Sequence, residues 1–165
     1  EAGIQGYSGE WVMAADQLSA GVKATSNKAY LDERYAATFV LYPKPFGILA
    51  EYNVGTGPEF DKLADSITNQ RLHGGFITAS YKVDFKGQTL IPFVRYQKYD
   101  GGKKHELDAR AYEVKEFEVG VEWQPNKNFE LVTMYTISNR RFEDFRLQNN
   151  LQKGSLLRIQ AQINF

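Results

Sequence analysis

The sequence predicts an all-β fold, an antiparallel up-and-down transmembrane β-barrel with about eight or nine strands, on three observations. First, residues 157–165 alternate strictly between apolar and polar side chains, which is the period of a strand with one apolar and one polar face. Second, similar alternating segments recur along the chain. Third, the connections between them alternate between short and long, as the periplasmic turns and outer loops of outer-membrane barrels do.

The N-terminal half supplies the first strands. We expect part of a strand at residues 3–7, a tight turn at Ser8-Gly9 and a further strand at residues 10–18. Residues 34–42 and 47–55 form a hairpin, because the four residues between them include two prolines, which favour a turn. Residues 73–85 predict the next strand, since apolar and polar residues alternate there from Ile77 to Phe85.

The C-terminal half holds the clearest alternation. A Lys-Gly-Gln turn at residues 86–88 precedes a strand at residues 89–99. In residues 115–124, the apolar series from Phe117 to Trp123 alternates with glutamate and glycine. A polar turn at residues 125–128 leads into a strand at residues 129–141, and residues 156–165 form the closing strand, which ends at Phe165.

The connections set an expected orientation. The short ones are residues 8–9, 43–46, 86–88 and 125–128, and the long ones are residues 19–29, 56–72, 100–114 and 142–154. Because long loops face outward in such barrels, the last strand runs inward and Phe165 is expected at the periplasmic rim. Residues 59–67 have some helical character, which indicates a short turn within their loop.

Composition excludes several classes of protein. No segment approaches the ~18–20 consecutive apolar residues that a membrane-spanning helix needs, whereas barrel strands are only half apolar. Aromatic residues make up 14% of the chain, which suits interfacial girdles, although a soluble β-sandwich is also aromatic-rich. The chain has no cysteine, so disulfides and thiolate metal sites are excluded. A net charge of zero gives no support to nucleic-acid binding.

The strand count predicts a part of a larger barrel. Eight full strands and a partial ninth are expected here, whereas bacterial single-chain barrels have even numbers of strands. We therefore expect residues 1–165 to form a single β-barrel domain that is the C-terminal part of a larger barrel. The alternative is a complete eight-stranded barrel, whose interior side chains would fill.

Four segments resemble the phosphate-selective porin O and P family of outer-membrane anion channels. They are residues 46–52 (FGILAEY), 92–96 (PFVRY), 119–126 (VGVEWQPN) and 157–165 (LRIQAQINF), within a similar stretch from about Tyr35 to Phe165. The resemblance implies a trimer of barrels with about sixteen strands each, located in the outer membrane of a Gram-negative bacterium. It also implies that residues 1–165 are the C-terminal half of such a porin. It also implies transport of small anions or other small hydrophilic solutes. The family's phosphate-binding segments do not align with this chain, so no phosphate site is transferred.

Charged residues on the polar faces of the strands are the candidate pore lining. With the apolar residues turned toward lipid, these side chains face the lumen: Arg34, Lys82, Arg95, Arg140, Arg158, Glu51, Glu118 and Glu122. Guanidinium groups in a narrow pore lower the cost at which an anion loses water, and Arg95 is the strongest candidate because it lies mid-strand. The alternative is that these charges pair across strands and keep the lumen solvated.

Other kinds of site are not expected. His73 borders a long loop and His105 lies within one, so neither indicates a hydrolase triad, and we expect no enzyme activity and no cofactor. Scattered loop carboxylates lack the ligand spacing of a metal site. The expected partners are outer-membrane lipid, lipopolysaccharide and small solutes, in a homotrimer and without nucleic acid.

Two alternatives remain open from the sequence alone. Gly9-Glu10-Trp11 matches the short G-x-W sequence of lipocalins, which are soluble ligand-binding barrels of similar length. A small outer-membrane barrel that is not a channel is the other alternative.

Overall fold

The computed structural model describes residues 1–164 as one antiparallel sheet. Its strands, in chain order, are β1 (Ala2–Val12), β2 (Ala29–Leu41), β3 (Phe46–Asp61), β4 (Ser66–Tyr81), β5 (Val83–Phe85), β6 (Gln88–Gly102), β7 (Ala111–Asn126), β8 (Phe129–Glu143) and β9 (Asn150–Ile163). Each long strand pairs with the next one along the chain, and the short β5 follows β4 and also pairs with β6. The predicted all-β, antiparallel, up-and-down class is confirmed.

Within residues 1–164, β1 and β9 are the two edges of the sheet, which is open between them. Two short 3-10 turns, Ala15–Gln17 and Leu107–Ala109, lie in the connections. No helix of the described residues is long and apolar enough to cross a membrane. The predicted position of Phe165 lies outside the described residues.

The first strand corrects the prediction of two strands with a turn between them. β1 runs without interruption through Ser8 and Gly9, which pair with Glu33 and Asp32 of β2. Leu18, predicted as the end of a strand, lies in the connection that follows β1. Ser8 and Gly9 favour a turn by residue type, but they form strand because β1 pairs with residues 29–39 of β2. This pairing satisfies the backbone of β1, and strand formation depends strongly on such context.

The predicted loop at residues 56–72 is mostly strand. β3 continues to Asp61 and β4 begins at Ser66, so only residues 62–65 connect them. The short turn expected within residues 59–67 is present, but it is confined to residues 62–65, and the residues on either side of it are strand. Phe60 pairs with Ile67 across this hairpin, and both side chains are buried. Burial of these two large apolar side chains stabilises the hairpin, even though its sequence contains glycine and proline, which usually interrupt strands.

Two other long connections are also shorter than expected, because the strands that flank them extend further, whereas the β1–β2 connection, residues 13–28, is longer than expected. Residues 103–110 join β6 to β7, and residues 144–149 join β8 to β9. The short turns remain at the opposite end of the sheet, at residues 42–45, 86–87 and 127–128. The sheet thus has a short-turn end and a long-connection end.

The sheet has two chemically different faces, because residues paired in an antiparallel ladder project to the same side. One face, the apolar face, carries large side chains that remain well exposed, such as Phe39, Val119 and Ile159 at 47%, 47% and 64%. The opposite face, the polar face, carries Glu51, Arg95 and their neighbours in register. The buried core lies at the long-connection end, where it is formed by Met13, Tyr30, Phe60, Ile67 and Ala109.

Candidate functional site

The predicted pore-lining residues share the polar face of the sheet. The register of successive strands places seven of them there: Arg34, Glu51, Arg95, Glu118, Glu122, Arg140 and Arg158. Lys82 lies in the break between β4 and β5 and forms an ion pair with Asp84 of β5, with 3.2 Å between Nζ and Oδ2. These positions follow from strict alternation along each strand.

Arg95 lies at the centre of this face and is held by three neighbours. Its guanidinium stacks over the ring of Phe76 at 4.1 Å from the ring centroid. Its Nη2 donates to Gln97 Oε1 at 3.0 Å, and its Nε lies 3.9 Å from Glu118 Oε2. Glu118 also accepts a hydrogen bond from Thr136 Oγ1 at 3.1 Å. The side chain is therefore fixed in orientation, with its charge partly offset by Glu118.

Glu116 organises a second group beside the first. Its Oε1 accepts from Ser138 Oγ at 2.8 Å and lies 3.4 Å from Arg140 Nη2. Its Oε2 accepts from Gln97 Nε2 at 3.5 Å, which links this group to Arg95. Glu116 is not among the predicted pore-lining residues, although alternation along residues 115–124 puts it on the same face as Glu118. Its role in joining β6, β7 and β8 depends on contacts between strands, which the sequence does not show.

An open recess of about 810 Å³ lies over β7–β9 on the polar face, and Glu118, Arg140 and Arg158 are among its lining residues. In the part of the chain that the structure describes, Arg158 has no carboxylate within 4.0 Å, and Glu51 has no basic nitrogen within the same distance. Glu122 accepts a hydrogen bond from Gln124 Nε2 at 2.5 Å. Of the predicted arginines, Arg158 is therefore the one whose charge is least offset.

Arg34 belongs to a different cluster, centred on Asp32. Arg34 Nη1 lies 2.9 Å from Asp32 Oδ1 and donates to the carbonyl oxygen of Thr56 at 2.8 Å. Asp32 Oδ2 accepts from Tyr7 OH at 3.2 Å and forms an ion pair with Lys104 Nζ. The cluster holds Lys104, which lies in the β6–β7 connection, against β1 and β2.

The β6–β7 connection is folded across the polar face at the long-connection end. Lys104 Nζ lies 4.9 Å from the centroid of the Trp11 ring, and the His105 ring packs edge-on against Trp11 at 4.6 Å. Further along, Asp108 Oδ1 accepts from the backbone N–H of Ser19 at 2.7 Å. Sequence reasoning treated residues 103–106 as a solvated loop and missed Asp32, since its partner lies 72 positions away.

The β8–β9 connection is tied to the same region. Arg110 Nε lies 2.5 Å from Asp144 Oδ2, and Asp144 is fully buried. The other carboxylate oxygen of Asp144 accepts the backbone N–H groups of Arg146 and Leu147. Three connections thus meet over one end of the polar face and narrow the space above it.

Glu59 is the titratable group most altered by this packing. It lies beyond Val54, where the exposed apolar side chains of β3 end. Burial, together with the smaller effect of the charge of Asp100, raises the pKa of Glu59 to about 7, while a backbone hydrogen bond from Gly102 opposes the change. Asp61 and Glu143 add smaller repulsions. The Glu59 carboxyl group therefore ionises at a higher pH than an exposed glutamate does.

Residues 1–164 bring together no group of three His, Asp or Glu side chains that could hold a metal ion. The arrangement is a polar surface with paired charges and one less compensated arginine, opposite an apolar surface. Such a surface can position and solvate ions.

A protein-family model described as "Phosphate-selective porin O and P" matches residues 13–165. The resemblance predicted from residues 35–165 is confirmed, and the match extends it toward the N-terminus to Met13. No curated protein and no solved structure matches the chain.

Proposed function

We propose that this chain, which belongs to the phosphate-selective porin O and P family, forms part of the wall of a water-filled pore in a Gram-negative outer membrane. Membership of this porin family points to a channel rather than an enzyme. The single observation that carries the proposal is the division of the sheet into an exposed apolar face and a charged polar face. In a barrel wall the first contacts lipid and the second contacts water.

The energetics of the two faces support this placement. Exposed apolar surface costs about 25 cal/mol per Å² in water, and the apolar face carries large exposed side chains on each of the long strands from β2 to β9. Lipid removes that cost, while the ladder of each strand pair satisfies the backbone groups, as a membrane requires. The edges of β1 and β9 need partners in the same way, and we propose that strands outside this chain complete a larger barrel.

The solutes are proposed to be small and hydrophilic, with a preference for anions. Five of the eight predicted pore-lining residues are basic and three are acidic. Glu116 and Asp32 add two carboxylates to the same face, so the preference rests on Arg158, the least compensated of the arginines. Arg95 and Arg140 each have a carboxylate within 4.0 Å, which weakens their attraction for an ion. We therefore expect a modest anion preference, with phosphate among the anions that pass.

Conductance of the full-length gene product in a planar bilayer tests this function. Under a KCl gradient, the reversal potential should report anion preference. Substituting Arg158 by Gln should shift the potential toward cation preference more than Arg95→Gln does, since Glu118 already offsets Arg95. Lys127→Gln, at the exposed short-turn end, is the matched control and should leave the potential unchanged.

The outcomes separate the parts of the proposal. Absence of ion current in a correctly inserted protein would reject the pore. A current with cation preference would reject the anion preference but keep the pore. The trimer implied by the family is a further proposal, and native mass spectrometry of the detergent-extracted protein should give the mass of three copies.

A further inference from the structure

A row of lysines crosses the apolar face at the long-connection end. Lys98 of β6 pairs with Lys115 of β7, Lys115 pairs with Asn139 of β8, and Asn139 pairs with Lys153 of β9. We call Lys98, Lys115 and Lys153 the lysine row. Like charges directly opposite each other destabilise a sheet, so an arrangement of this kind favours an external anion.

The carboxylates of the same face compensate the row only in part. Glu113 lies 2.5 Å from Lys115 Nζ. Lys98, Arg141 and Lys153 have no carboxylate within 4.0 Å in the described part of the chain. The remaining positive charge is therefore available to a ligand.

A small recess lies within this basic area. It has a volume of about 130 Å³, and Lys115, Asn139, Arg141 and Lys153 line it together with Glu113. Because a water molecule occupies about 30 Å³, the recess has room for a phosphate group and a few waters. Two lysines, one arginine and an amide are donors suited to phosphate oxygens.

An apolar groove begins beside the lysine row. It has a volume of about 400 Å³, and its lining is predominantly apolar, with small residues such as Ala37 and Ala50 between larger ones such as Phe39 and Ile77. Lys98 of the lysine row is among the residues that line this groove. The lysine row and the apolar groove are thus adjacent on one surface. Together they complement a molecule with an anionic head and a hydrocarbon chain.

We propose that the lysine row and the groove bind a phosphorylated acyl glycolipid of the outer leaflet, the lipid A part of lipopolysaccharide. Its phosphate lies against the lysines and an acyl chain enters the groove past Lys98. The inference rests on the proposed function and on the expected orientation, in which the long connections of an outer-membrane barrel face outward. A lipid supplies the anionic and the apolar part in one molecule, at the height where the apolar face ends.

Native mass spectrometry of the delipidated full-length protein tests the site. The probes are phosphorylated lipid A and the same lipid after removal of its phosphates. We expect the phosphorylated form to bind more tightly than the dephosphorylated form. The triple variant Lys98→Gln, Lys115→Gln and Lys153→Gln should weaken binding of the phosphorylated form about a hundredfold, since each lysine near a charged lipid surface contributes roughly a factor of five. Lys86→Gln with Lys127→Gln, at the short-turn end, is the matched control and should change affinity less than twofold.

Two further variants separate charge and shape from misfolding. The triple variant Lys98→Arg, Lys115→Arg and Lys153→Arg should preserve binding of phosphorylated lipid A, because it keeps the three positive charges. Ala50→Trp should fill the groove and weaken the binding of both forms of the lipid. Equal binding of the two lipids, or full binding by the triple glutamine variant, would overturn the proposal. Conductance measured on the same preparations distinguishes the two proposals: a conducting protein without lipid preference refutes only the lipid site, and a lipid-binding protein without current refutes the pore.

Discussion

Asp32 is predicted to hold the β6–β7 connection against the polar face, and Asp32→Asn tests this. The Asp32 side chain is 7% exposed, and its partners Arg34 and Lys104 are 22% and 19% exposed. Removing one partner of such a buried pair leaves uncompensated charge, at a cost of about 3–5 kcal/mol. Because asparagine keeps one acceptor oxygen, we expect about 3 kcal/mol, the lower end of that range.

Hydrogen exchange of the full-length protein in lipid vesicles measures this effect locally. In Asp32→Asn, amides of residues 103–110 should exchange about a hundredfold faster, since local opening follows the lost free energy. Asp84→Asn is the matched control, because the Lys82–Asp84 pair has the same charges but is 38% and 65% exposed. Exposed pairs contribute little, so this variant should leave exchange unchanged.

A double-mutant cycle completes the test. If Lys104 is the main partner, Asp32→Asn combined with Lys104→Gln should be less destabilising than the sum of the single substitutions. The explanation fails if Asp32→Asn alters exchange of residues 103–110 no more than Asp84→Asn does. Additive effects of the two substitutions would instead show that Lys104 is not held by Asp32.

Three other perturbations have defined outcomes. Gly102→Ala should strongly lower the free energy of unfolding in a urea titration, because its Cβ would lie 2.1 Å from the carbonyl oxygen of Pro58; Gly154→Ala, with no atom within 4 Å, should be tolerated. Phe60→Ala should cost about 3–5 kcal/mol in the same titration by leaving a cavity in the buried core. Glu59 has a folded pKa of about 7 against an ordinary 4.5, so its contribution is most favourable below pH 4.5 and falls as pH rises to 7; Glu59→Gln should flatten stability over this window, and an unchanged slope would show that another group titrates.

The strands were predictable because the signal for a strand is local. From residues 115 to 124 the alternation is complete, and β7 includes the whole segment. The faces followed as well, since strict alternation fixes them along each strand. Prediction failed where contacts between distant residues determine the local structure. Ser8 and Gly9 are strand residues because β2 pairs with them. Phe60 of β3 is buried in a cluster that includes Met13 of the β1–β2 connection.

The candidate site was predictable in position but not in its pairing. Periodicity placed Arg95 and Glu118 on one face, yet their proximity depends on the register between β6 and β7, which alternation within either strand does not determine. The Asp32 cluster could not be found in this way, because Lys104 lies in a connection without periodicity. Its only sequence signal was a pair of lysines, which is usual in exposed loops.

Charge is handled differently on the two faces, and this difference connects the two proposals. On the polar face, Glu116 and Glu118 lie beside arginines of neighbouring strands, so most of the charge is balanced within the sheet and the attraction for passing ions stays weak. Weak binding suits a pore, because an ion that binds tightly leaves slowly. On the apolar face, the lysine row has one paired carboxylate, Glu113. Its excess charge attracts an anion that is retained, as a resident lipid would be.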